Sequence, residues 1–248
     1  MLKNRLFTSV FMMLAMAGMS FAWDESDIDL NIPKDGTGCY LIGTVNQLYG
    51  FASIVNGSTA ELDPNPTACG KLEKDIVVNE NVLGESNANV NSVTGEYQGS
   101  NASSFRPWVS IGGQDTDFRG TFDGQGHTIS GLFLNAGDSD SNIGLFGSVG
   151  GEQGFNVTIK NVGIKDSYFR AGFYVGGVVG YVWHNGSLNI ENVFNAAYVV
   201  AVNEDEDMAY GLAGGLVGYV QNADGENLFL NITKKLQILF WIKINFSR

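Results

Sequence analysis

Gly144-Leu145-Phe146-Gly147, Gly177-Val178-Val179-Gly180 and Gly215-Leu216-Val217-Gly218 recur 33 and 38 residues apart. A second string recurs beside them: Ile129-Ser-Gly-Leu132, Ile159-Lys-Asn-Val162 and Ile190-Glu-Asn-Val193, at offsets of 30 and 31. Repeats of this length with fixed internal motifs mean stacked supersecondary units. A single unit is too small to bury its own apolar face, and stacking makes one continuous core. In each Ile string an apolar residue returns three positions later, so the two-residue alternation of a strand slips once. Such a slip means a bend or bulge. Asn161 and Asn192 hold the same place in two units, which suits either an amide ladder along the stack or solvent-exposed turns.

The composition agrees with strands and tight turns. The 248 residues include 33 Gly and 24 Asn but only 4 Pro, with 44% hydrophobic residues and 16% charged. Gly and Asn serve turns, while Val, Ile, Phe and Tyr serve strands. The expected class is therefore all-β. The best helix signal lies at 46–56, where Leu48, Phe51, Ala52 and Val55 recur at i, i+3, i+4 and i+7. Asn46 is the expected start cap and Gly57 the end cap. Cys39 to Gly43 and Leu72 to Val78 read as strands, and residues 84–105, rich in Ser, Asn and Gly, as a long irregular loop.

The string Phe118-Arg-Gly-Thr-Phe-Asp-Gly-Gln-Gly-His-Thr-Ile129, followed by the Gly-Leu-hydrophobic-Gly units, resembles the GLUG-motif proteins of bacterial surfaces. Similar repeats occur in non-catalytic regions of IgA-specific metallopeptidases and in large adhesin-like proteins. The middle unit departs mildly, with Val178 in place of Leu. The resemblance covers about residues 105–230. It implies a right-handed parallel β-helix in a secreted or surface-attached bacterial protein. On that fold the short helix is expected to cap the open N-terminal end, because a bare end exposes strand edges and core.

The ends of the chain carry further expectations. Lys3 and Arg5, the apolar run Leu6 to Met19, and small residues at Ser20 and Ala22 read as a signal peptide over 1–22. The run is short for a span of about 20 residues, so no stable membrane span is expected after cleavage. Residues 23–105 form an N-terminal cap and first-coil region, and 106–233 the repeats. The segment 234–248 is basic and apolar, without Gly or acids; it reads as an atypical tail from a frameshifted or truncated chain in preference to a dedicated C-terminal cap or membrane-contacting strand. Export places Cys39 and Cys69 in an oxidising compartment, where they form one bridge or, failing that, remain two buried thiols.

Residues 23–233 hold all 26 acids and eight bases, a net charge of −18. Such a surface repels phosphate backbones, which excludes nucleic-acid binding. Two Cys and two His with no ligand spacing give no metal site, and no cofactor is expected. Asp115, Asp117 and Asp123 lie close enough in sequence for a carbohydrate-active β-helix lyase or hydrolase, but Asp123-Gly124 is also an ordinary turn pair. His127 and His184 belong to no His-Glu-x-x-His motif. Glu204-Asp205-Glu206-Asp207 reads as a solvated insertion. Trp108, Phe169, Phe173, Tyr174, Tyr181, Trp183 and Tyr198 recur around the repeats; individually each reads as core, but any that face outward together suit sugar rings or a protein partner. The expectation is a non-enzymatic surface protein for adhesion or glycan binding, with an enzyme or a structural spacer as the alternatives.

Overall fold

The computed structural model describes residues 27–57, 62–113, 116–137, 140–151, 155–183, 186–203, 211–221, 228–233 and 241–246. The proposed signal peptide, Asp115, His184, the acidic run Glu204–Asp207, and residues 234–240 and 247–248 of the tail lie outside this set.

The chain is mostly β-strand, and every pairing between its extended strands is parallel. One sheet runs in the order Tyr40–Ile42, Cys69–Leu72, Thr121–Asp123, Phe155–Lys160, Gly186–Glu191 and Leu228–Thr233. A second runs through Ile76–Val77, Thr128–Ser130, Gly163–Ala171, Phe194–Asn203 and Trp241–Phe246, with Phe133–Asn135 also paired to Gly163–Ala171. A third holds Phe146–Gly150, Val179–Trp183 and Val217–Gln221, beside a short pair of Val175–Gly176 and Ala213–Gly214. From Phe146–Gly150 onward consecutive strands thus enter different sheets, and each strand pairs with its counterpart from the neighbouring unit.

The register explains the repeats. Phe146, Val179 and Val217 are partners across the third sheet, which aligns the three Gly-x-x-Gly motifs. The chain is tightly spaced there. A Cβ on Gly177 would lie 2.0 Å from Asn195 Nδ2 and 2.4 Å from the Gly215 carbonyl oxygen. Ile159 and Ile190 are partners as well, but Ile129 is not their counterpart. Phe122 pairs with Ile159, while Ile129 pairs with Ile164 in the second sheet. The early unit carries extra residues in its Gly124-Gln-Gly-His127 turn, so equal sequence spacing there does not mean equal place. The slip after Ile159 and after Ile190 is a corner between two sheets: Asn161 and Asn192 sit in it with φ of 52° and 53°.

The core follows from this stacking. Phe122, Ile159 and Ile190 from the first sheet, Ile129 and Ile164 from the second, and Phe146, Val179 and Val182 from the third are all buried. The helix spans Val45–Asn56. Its Leu48, Phe51, Ala52 and Val55 are 0–1% exposed, and the Phe51 ring lies 5.9 Å from Phe122 and 6.5 Å from Phe118. Its start cap is Thr44 and not Asn46: the Thr44 hydroxyl accepts from the Gln47 amide at 3.1 Å. The Asn46 side chain is engaged elsewhere, accepting from an Arg106 guanidinium nitrogen at 2.8 Å. Gly57 closes the helix with φ 67°. The expected strand Leu72 to Val78 is broken in two, because the chain leaves the first sheet after Leu72 and enters the second at Ile76.

A second apolar cluster lies on the outer side of the second sheet. Val82, Leu83, Val90 and Phe105 pack there against Phe133, Tyr168, Tyr198, Val200 and Val202. The segment 79–105 is therefore a cover, fastened by hydrogen bonds from the amides of Val82 and Leu83 to the Asp166 carboxylate and from Tyr168 to the Gly95 carbonyl. At the N-terminal side, a disulfide joins Cys39 to Cys69 across neighbouring strands of the first sheet. No helix among the described residues is long and apolar enough to cross a membrane.

Candidate functional site

Tyr181 and Tyr219 of the third sheet are half-buried. Tyr181 and Tyr219 both follow the last glycine of their motif, and they are register partners on adjacent strands. Their rings lie 5.8 Å apart and within 6° of parallel. Tyr174, from the turn before Val175–Gly176, stacks with both, at 5.2 Å from Tyr181 and 4.7 Å from Tyr219. Tyr174 has φ 44°, a left-handed conformation that bulky side chains rarely adopt. Burial, with the neighbouring Tyr174 and Tyr219, pushes the Tyr181 hydroxyl up to about 12, so it stays protonated and donates to the Gln221 side-chain oxygen.

Beside this stack is a cavity of about 260 Å³. It is lined by the aromatic Tyr174, Tyr181 and Trp183 and by the polar Asp117, Ser141, Asn142 and Ser148. Asp117 is 9% exposed. It accepts from the Trp183 indole at 2.6 Å and from the Ser148 hydroxyl, which fixes the indole plane. Asn142 is 8% exposed, holds φ 62°, and its Oδ1 has no hydrogen-bond partner among the described residues. Ile143 and Val175 are bridge partners, so Asn142 and Tyr174 hold the same place in successive units.

Of the sequence-derived candidates, only some meet here. Tyr174, Tyr181, Trp183 and Asp117 come together, and Phe173 lies next to Tyr174. Trp108, Phe169 and Tyr198 are instead buried, at 2%, 0% and 3% exposure. Asp123 is elsewhere: its Oδ1 accepts from the Gln125 amide and the Asn161 side chain, and Lys160 sits 3.4 Å from its Oδ2. It closes a turn. Its burial works to raise the carboxyl, yet these hydrogen bonds and Lys160 hold it below its ordinary value. His127 lies at the surface, 3.5 Å from Asp75. Among the described residues no cluster of His, Cys, Asp or Glu is arranged to hold a metal ion. Tyr219 and Asn142 were not legible as site residues. A signal for Tyr219 existed in the shared motif, since Gly-x-x-Gly-Tyr occurs in both later units, whereas the first unit has Ser148 there.

Comparison with family models, with curated proteins and with solved structures finds no match to this chain. The chemistry of the site itself therefore carries the functional reading.

Proposed function

We propose that the chain is an exported right-handed parallel β-helix of GLUG-like repeats. In this reading it acts at a bacterial surface as a non-enzymatic adhesion or polymer-binding protein. The helix Val45–Asn56 caps one end of the stack, and the Cys39–Cys69 bridge, which favours an oxidising compartment, ties its flanks. The observation that carries the functional part is the cavity lined by Tyr174, Tyr181 and Trp183 together with Asp117 and Asn142. Flat apolar rings beside a few fixed polar groups are the usual make-up of a small-molecule site. Glycoside hydrolysis uses two carboxylates flanking the bond to be cut. Among the described residues Asp117 alone supplies a carboxylate to this cavity, and both of its oxygens are already engaged. That favours binding over turnover. The deciding experiment is a glycan-array screen run in parallel with turnover assays on soluble polysaccharides. Retention without turnover is expected. Turnover that disappears in Asp117→Asn while the protein stays folded overturns the binding reading in favour of an enzyme.

A further inference from the structure

We infer that the end of the stack carrying Val217–Gln221 and Leu228–Thr233 is a self-association surface, on which a second copy of this chain docks end to end across a two-fold axis. This goes beyond the binding reading above and depends on no ligand.

The first observation is a contrast between equivalent positions. Leu230 and Ile232 are register partners of Leu188 and Ile190, and Val220 is the partner of Val182. Leu188, Ile190 and Val182 are 0–1% exposed, whereas Leu230, Ile232 and Val220 are 39%, 44% and 38% exposed. The positions that are core in one rung are open in the next. Their strands, with Ala213–Gly214 and Trp241–Phe246, stand last in every sheet at this end. The outer N–H and C=O groups of such edges are a template for pairing.

The second observation selects the occupant. A lone strand from another protein would cover one sheet and leave the core between the sheets open. A second copy presents edges of all the sheets at once. Its other end cannot serve. The helix Val45–Asn56 packs there, with Phe51 against Tyr40. The outer edge of Tyr40–Ile42 is also taken: Lys34 bridges antiparallel to Tyr40, and the Leu41 amide donates to the Pro33 carbonyl at 2.7 Å. Head-to-tail stacking is thus blocked, and the open ends meet each other. That contact is isologous and closes at the dimer.

The third is charge. Like charges set opposite one another destabilise a strand pair. Residues 23–233 carry a net charge of −18, yet neither Val217–Gln221 nor Leu228–Thr233 contains a charged residue. In the first sheet Asp123, Lys160 and Glu191 are successive register partners, and the next place is taken by the neutral Thr233. An axis through the first sheet sets the second sheet, with Lys243, against the uncharged third sheet of the other copy.

The fourth is the amide ladder. Asn189 donates to Asn156, and Asn231 donates to Asn189. A primary amide has two N–H donors and an acceptor oxygen, so the ladder ends on a group able to bond once more. Antiparallel pairing centred on Asn231 brings the two Asn231 amides together and sets Leu230 opposite Ile232 of the other copy, inward with inward. Strands of five and six residues, at about 3.3 Å per residue, enclose an end face of about 600 Å² per copy, the low end for specific complexes and suited to a reversible dimer.

The test is analytical ultracentrifugation of the full chain up to about 100 µM. A monomer–dimer equilibrium with no larger species is expected. Asn231→Lys sets like charges at the axis and is expected to weaken the dimer about tenfold or more. Its melting temperature should not change, because Asn231 is exposed. Val93→Lys, at an exposed site on the cover, should dimerise as the wild type does. Asn231→Cys places two thiols on Cα atoms about 4.5–5.5 Å apart, within disulfide range, so mild oxidation should link the dimer on a non-reducing gel. A monomer at every concentration overturns the association. Growth beyond the dimer overturns the two-fold closure. A dimer that Asn231→Lys leaves intact, or that Val93→Lys weakens equally, overturns the surface. An Asn231→Cys dimer that does not link overturns the register.

Discussion

The side-chain amide of Asn192 donates to Oδ1 of Asn161, 31 residues earlier, at 3.0 Å. Asn161 in turn donates to Asp123 Oδ1 at 3.0 Å. The corner of each unit is thus tied to the corner of the next. Both asparagines are left-handed, a conformation that Asn tolerates better than other residues with a Cβ. A parallel ladder runs through Asn156, Asn189 and Asn231 in the first sheet, at 3.0 and 2.9 Å.

The two roles of Asn161 separate by mutation. Asn161→Gly keeps the backbone and loses the ladder, at a cost of about 0.5–1.5 kcal/mol. Asn161→Ala loses the ladder too and keeps a Cβ in the left-handed region without the polar side chain that lets Asn tolerate it, adding about 1–2 kcal/mol. Urea unfolding of both variants checks the order: wild type most stable, then glycine, then alanine.

Reducing the Cys39–Cys69 bridge, or replacing both residues with Ser, is expected to cost about 2–4 kcal/mol in the chain-entropy account. Thermal melts with and without dithiothreitol report it. The double Ser variant should show no further response to reductant.

Gly177→Ala places a methyl group 2.0 Å from Asn195 Nδ2 and 2.4 Å from the Gly215 carbonyl oxygen. An overpacked core site of this kind costs about 1–3 kcal/mol. Gly113→Ala is the matched control, because a Cβ added there meets no atom of the described residues within 4 Å, and its effect should stay within about 0.5 kcal/mol. Chemical denaturation of the pair tests whether close approach, and not glycine content, limits the stack.

Stability should fall at acid pH. The Lys71 ammonium, 2.6 Å away, and the Thr37 hydroxyl hold Asp35 well below the ordinary carboxylate value of 3.8, and Asp123 is also held below it despite its burial. A carboxyl whose folded value is depressed contributes stability that is fully present above its unfolded value and is lost as pH falls through the folded one. The urea midpoint is therefore expected to be flat from pH 7 to about 5 and to decline below about pH 4. Asp123→Asn should reduce that decline, as measured by midpoints at pH 6 and pH 3.

Periodic features were legible in the sequence, and insertions and distant partners were not. The helix was readable because Leu48, Phe51, Ala52 and Val55 repeat at helical spacing, and all four are buried. The cap lies two residues before the one expected, because Thr44 and Asn46 are both competent caps by residue type, and it is Thr44 that accepts from the Gln47 amide while Asn46 accepts from Arg106. The alignment of Ile129 failed because the Gly124-Gln-Gly-His127 turn lengthens one unit. Trp108, Phe169 and Tyr198 look like Tyr181 and Trp183 in sequence. Which face each occupies depends on the cover 79–105 and on the helix, far away along the chain. The cavity draws on separate units, so Asn142 carried no local mark of its role.

The cover over the second sheet has a bearing on how the chain is made. Tyr168 reaches back 73 residues to Gly95, and Asp166 reaches back more than 80 to Val82 and Leu83. A chain emerging N-terminus first presents Val82, Leu83, Val90 and Phe105 well before the strands that shelter them exist. Until Gly163–Ala171 and Phe194–Asn203 arrive, those side chains are sticky and unprotected, open to wrong partners at the edge of a half-built sheet. Export in an extended state would postpone that hazard by releasing the cover and its sheet into the same compartment together.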